Sequence, residues 1–140
     1  MKILIFLIVF FSLTSSYSQN IFGAWEVYRF KPGEISAITD KEAKAYVGRK
    51  IFLESNYVKA FGDTCKHALY NARKAKANEF LYYNYRTSAR TLGITSENVD
   101  VIEVHCGKVR KIPEHAFLLT EEKDLIISKD GYFFWLKKIH

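Results

Sequence analysis

Phe22-Gly23-Ala24-Trp25-Glu26-Val27-Tyr28-Arg29-Phe30 is the stretch whose reading decides the fold. It alternates, with Trp25, Val27 and Arg29 on one face and Ala24, Glu26, Tyr28 and Phe30 on the other, the period-2 pattern of a half-buried strand. Gly23 lets the backbone turn sharply into that strand, which sets Trp25 at its base. The rest of the chain reads as a sheet that curls round to close on this strand.

On its N-terminal side, Met1-Lys2 is followed by an unbroken apolar run from Ile3 to Phe11, and Ser16-Tyr17-Ser18 places small residues before Gln19. This has the form of a signal peptide over residues 1–18, too short to span a bilayer. No Cys near the cleavage site could carry a lipid. The expected product is exported, periplasmic or extracellular, with residues 19–140 as a single β-rich domain large enough for one core. Without Lys2 the formal net charge falls from +6 to +5. A basic exported protein suits an anionic ligand or an acidic protein partner, and export argues against nucleic acid.

Two cysteines, Cys65 and Cys106, are expected to pair in an oxidising compartment. The alternative is a metal site, because Cys65-Lys66-His67 and His105-Cys106 offer two thiols and two imidazoles. However, His105 and Cys106 are neighbours in a strand-like run and point to opposite faces. The disulfide is therefore preferred, with no metal and no cofactor.

Downstream, Lys31-Pro32-Gly33 signals a turn, and Thr39-Asp40-Lys41-Glu42 is a capping box opening a short helix through Val47, ended by Gly48. Strands are expected over 49–55 and 57–61, with Gly62-Asp63 as a stop. Residues 69–77 alternate as a strand, although Ala, Arg and Lys also suit a helix. Asn78 resembles the N-cap of a helix reaching Leu92 and stopped by Gly93. Residues 99–106 form the clearest strand, 107–114 a basic loop, and 116–120, 124–128 and 132–139 a meander whose Asp130-Gly131 turn is a strong hairpin signal. The fold class is mainly β: a small antiparallel, barrel-like sheet of up to eight strands with two short helices. The alternative is α+β, with helices on one face of an antiparallel sheet.

Gly23-Ala24-Trp25 resembles the glycine, any residue, tryptophan motif that opens the first strand of lipocalins and related calycin barrels. The resemblance implies an eight-stranded cup for small apolar ligands, with a basic residue from the end of the barrel packed over the Trp; Lys137 or Lys138 is the matching candidate. The family's second motif, Thr-Asp-Tyr, is matched only in its Thr by Thr120-Glu121-Glu122, and the expected arginine is a lysine.

Gly-rich phosphate loops, Gly-x-Ser-x-Gly elbows and His-Glu-x-x-His helices are all missing from the sequence. The function is therefore read as binding rather than catalysis. On this reading a lipocalin-like carrier holds a small apolar or amphipathic anion among Trp25, Val27 and Trp135, with Arg29 as counter-charge; the plainer reading is that Arg29 reaches water. A second possibility is a protein-binding module of the envelope, such as an inhibitor of a secreted hydrolase, using the helical row Tyr82, Arg86 and Arg90. That row is otherwise a solvated helix face. A third is a hydrolase whose site is unrecognised, with Glu121, Glu122 and Asp124 read as turn polarity. N-terminal sequencing of the exported protein should return Gln19 or a residue close to it; a chain still beginning at Met1 would overturn the compartment.

Overall fold

The first and last strands of the domain pair with each other at the middle of the sheet. In the computed structural model, which describes residues 21–107, 110–111 and 116–140, β1 (Gly23–Pro32) runs antiparallel to β10 (Tyr132–Lys138), from Trp25 opposite Lys138 to Pro32 opposite Tyr132. The expected signal peptide lies outside the described residues, as does most of the basic loop with His115.

The other side of β1 pairs with β2 (Lys50–Glu54), followed by β3 (Tyr57–Ala60) and β4 (Asp63–Lys66). Beyond β10 come β9 (Leu125–Lys129), β8 (Phe117–Leu119), β6 (Asn98–Cys106) and β5 (Ala68–Lys76), with the two-residue β7 (Arg110–Lys111) beside β6. The fold is mainly β, an antiparallel curled half-barrel with two helices. Among the described residues ten strands are formed where up to eight were expected, because Asp63–Lys66 pairs with β3 and Arg110–Lys111 with β6. The sheet's two edges are β4 and β5, which are consecutive in the chain and separated only by His67 at φ 63°.

The seam between those edges is held at one end. The Cys65–Cys106 disulfide ties β4 to the end of β6. Next to it, Ala68 donates its N–H to the Asn56 carbonyl, and the Tyr70 hydroxyl donates to the Glu54 and Tyr57 carbonyls. Burial pushes the Tyr70 phenol up to about 12 against the opposing pull of that Glu54 contact, so it stays a donor across the seam.

Both faces of the sheet bury side chains, the outer one only in part. Inside the curl, Trp25, Val27, Ile51, Leu53, Val58, Phe117, Leu125, Phe134 and Leu136 are buried in one cluster. The Trp25 indole N–H donates to the Ile21 carbonyl at 2.7 Å, and the Lys138 ammonium lies 5.8 Å from its ring. That lysine chain also fills the space above Gly23, whose φ of 134° suits a residue without a Cβ. At the opposite mouth, α1 (Asp40–Lys44) opens on the expected capping box of Thr39 and Glu42, and the rings of Tyr46, edge-on, and Phe61, tilted, pack against Phe134. The Asp130-Gly131 hairpin forms with positive φ at both residues, and a Cβ on Gly131 would collide with the Ile35 carbonyl.

The outer face is covered by α2 (Ala77–Tyr85), which buries Phe80 and Leu81 with Val99, Val101, Leu118, Ile126, Phe133 and Trp135. This helix is shorter than its periodicity suggests. Arg86 takes a left-handed conformation at φ 55° and ends it, and a separate 3₁₀ turn covers Arg90–Leu92. Asn78 does not cap it either: the Asn78 side-chain carbonyl accepts from the Ala89 N–H instead, tying the loop back to the helix start.

At a sequence separation of 41, the cysteines close a loop worth about 4 kcal/mol in chain entropy. Replacing both with Ser should lower unfolding free energy by about 2–4 kcal/mol in denaturant titrations. Amide exchange should then rise first along β4 and the start of β5. Unchanged stability would mean that the neighbouring hydrogen bonds hold the seam without the disulfide.

Candidate functional site

The pairing of β1 with β10 slips by one residue after Val27: Val27 faces Leu136, but Arg29 faces Trp135, leaving Tyr28 as the extra residue of a bulge. The slip reverses which residues face inward. Trp25 and Val27 point into the core, Tyr28 and Arg29 both point outward, and Phe30 returns to the inside beside Tyr132 and Phe134. A shared face for Trp25, Val27 and Arg29 is therefore corrected to two faces.

Trp135 also stands outside. Tyr132, Phe134 and Leu136 take the inner face of β10, and Phe133 and Trp135 take the outer one under α2. Of the four residues expected to line one interior, Trp25 and Val27 are packed in the core, and Arg29 and Trp135 meet each other on the other side of the sheet. A signal for this was present in the apolar phase, which runs Trp25, Val27 and then Phe30 rather than continuing in steps of two.

Arg29 and Trp135 form a stack. The guanidinium carbon lies 4.1 Å from the ring centroid, close enough for a cation–π contact. Beside them opens a cleft of about 190 Å³, walled by Tyr28, Arg29 and Trp135 on the sheet, Leu92 to Thr95 at the end of the 3₁₀ turn and beyond it, and Thr120, Glu121, Glu122 and Asp124 in the β8–β9 turn. Thr120 fixes that turn, its hydroxyl accepting from the Asp124 N–H at 3.1 Å. Asp124 in turn accepts a short hydrogen bond from the Tyr28 hydroxyl. Burial first, then this bond and the Asp124 charge, push the Tyr28 phenol up to about 12.

Chemically the cleft offers a stacked cation and a neutral phenol on one side and carboxylates on the other. Among the described residues, no group of three His, Cys, Asp or Glu is placed to hold a metal ion. The thiols are joined, and the His105 ring sits 3.9 Å from Glu103.

The second expected row is partly assembled. Tyr82 is 56% exposed and lies under the Arg86 guanidinium at 5.3 Å. Tyr83, 74% exposed, packs edge-on against Tyr82. Arg90 lies beyond the end of α2 in the 3₁₀ turn, so helical spacing no longer relates it to the pair. A hollow of about 240 Å³ adjoins this surface, lined by Ile35, Tyr85, Arg86, Phe133 and neighbours, with Ile35 almost fully exposed at its rim.

The chain matches no family model, no curated protein and no solved structure.

A raised phenol is favoured in its neutral form by the fold. The Tyr28 contribution is therefore complete below about pH 10, the ordinary phenol value, and is lost as pH rises through about 12. Ultraviolet titration of the protein against Tyr28→Phe should reveal one phenol ionising near the top of that range, and Asp124→Asn should bring it down. A Tyr28 that titrates at the ordinary value would mean that the contact with Asp124 is not made in solution.

Proposed function

We propose that this is an exported, non-enzymatic binding module whose partner is another protein with an acidic surface, held on the outer side of α2. The observation that carries this reading is the pairing of a packed interior with an aromatic and basic outer surface. Trp25, Phe117 and Phe134 are fully buried inside the curl, while exposed Arg86 and Ile35 line a hollow that could receive a partner side chain, and exposed Tyr82 and Tyr83 continue the surface from Arg86. Tyr and Arg beside a pocket are the residues that dominate interface energies, and an excess of positive charge steers acidic partners toward the surface.

Export is supported by the disulfide and by the apolar N-terminal run. No helix among the described residues is long and apolar enough to cross a membrane. An inhibitor of a secreted, acidic hydrolase is one form such a module takes. The other reading, a carrier of a small amphipathic anion within the curl, has less support, because the space belongs to core side chains and Arg29 stands outside it.

Native mass spectrometry of the protein purified from its own source tests this. The expected species is a stoichiometric protein complex, and replacing Tyr82 and Tyr83 together with Ser should weaken it by at least about thirtyfold, as for hot-spot residues. Recovery with a small-molecule adduct and no protein partner would favour the carrier. A protein complex indifferent to the double substitution would move the interface elsewhere.

A further inference from the structure

The cleft between the β1 bulge and the β8–β9 turn has opposite charges on its two walls that do not pair with each other. Arg29 is committed to the face of Trp135, and no described carboxylate forms an ion pair with it. Asp124 is committed to the Tyr28 hydroxyl, and Glu121 and Glu122 are exposed beside it. Each side is thus held back by a partner of its own, and a gap of about 190 Å³ is left between them.

We propose that this cleft binds a small zwitterion of the free α-amino acid class, with the ligand carboxylate on the Arg29 guanidinium and its ammonium at the Glu121, Glu122 and Asp124 turn. Stacking on Trp135 fixes the plane of the guanidinium and leaves its N–H edge open, the arrangement that receives a carboxylate with two parallel hydrogen bonds. The Tyr28 phenol lies between the walls and remains neutral, so it adds no charge of its own.

Charge selects the ligand class. A simple anion would be attracted by Arg29 but repelled by three carboxylates in four residues, and a simple amine would meet the reverse. Only a molecule carrying both charges a few ångströms apart satisfies both walls. Size narrows the class further. At about 190 Å³ the cleft is smaller than the roughly 300 Å³ at which pockets for drug-sized molecules begin. Leu92 and Ile94 offer the third side of the cleft to a short apolar side chain.

The site is independent of the protein-binding surface on α2, and the two can be tested apart. In ¹H–¹⁵N spectra of the purified protein, alanine, serine and valine should produce saturable shifts at the Arg29 Nε–H, the Trp135 indole N–H and the amides of Gly93 and Thr95. Propionate and propylamine, each carrying one of the two charges, should bind at least about tenfold more weakly, as expected for loss of a charge-assisted contact. Arg29→Gln, and separately Glu121→Gln with Glu122→Gln, should each weaken alanine by at least about tenfold with the thermal midpoint unchanged. If Arg29→Gln lowers the midpoint, Arg29→Lys retains the charge without the planar fork and should still weaken alanine. The proposal is overturned if no amino acid shifts these signals in the millimolar range, if propionate binds as well as alanine, or if binding survives both sets of substitutions.

Discussion

The antiparallel ladder between β1 and β10 is the constraint on which the rest of the structure depends. It places both ends of the domain at the centre of the sheet, so the edges fall in mid-chain at β4 and β5. Those two strands cannot close the barrel on each other as a hairpin, because even the tightest hairpin needs two residues in its loop and only His67 lies between them. With His67 in the left-handed region, the chain turns a corner and continues as the opposite edge. The curl therefore stays open along a seam, and a covalent bond and three backbone acceptors hold that seam at one end.

A central strand has two buried faces, and β10 shows what that requires. Every residue from Tyr132 to Leu136 is buried, alternately in the inner core and beneath α2. The inner face has to be filled by side chains because the curl is narrow, and it is filled by the large aromatics of β1, β8 and β10. The outer face needs a helix, and α2 supplies one for only nine residues. Next to the β1 bulge the outer face is bordered by Leu92 to Thr95 instead of α2, and the cleft opens there.

The legible parts of the sequence were those with a local chemical signature. The Thr39 and Glu42 capping box, the Asp130-Gly131 turn, the alternation of β6 and the pairing of the cysteines could all be read without knowing what lay across from them, and each is formed. The pairing of first strand with last was expected from the need to cover two sheet edges, and a basic residue over Trp25, Lys137 or Lys138, from the Gly23-Ala24-Trp25 resemblance; the strands pair, and Lys138 takes that place. The illegible parts were decided by neighbours. Asp63–Lys66 has no apolar alternation, and β3 alone makes it a strand. The helix end at Arg86 uses a left-handed non-glycine, where the sequence signal was Gly93. Trp135 was placed on the inner face and lies on the outer one, because Tyr132 to Leu136 is apolar at every position and period-2 reasoning needs a polar side to orient it.

The bulge at Tyr28 is the misreading that mattered most, and energetics explain why it occurs there. Without a slip, the steps of two that bury Trp25 and Val27 would carry Arg29 and then Lys31 into the curl and leave Phe30 outside. The inner cluster is composed of apolar side chains, so neither cation would find a counter-charge, and an unpaired buried charge costs several kcal/mol. One bulge forfeits a single ladder position, a loss of about 1 kcal/mol per hydrogen bond. In return it sends both cations out and brings Phe30 against Tyr132 and Phe134. Tyr28 keeps a negative φ through it, so no glycine or asparagine marks the place, and the only trace in the sequence is the phase change from Val27 to Phe30. The same slip sets Arg29 on Trp135 and Tyr28 against Asp124, so the rule that keeps charge out of the core is also what assembles the cleft.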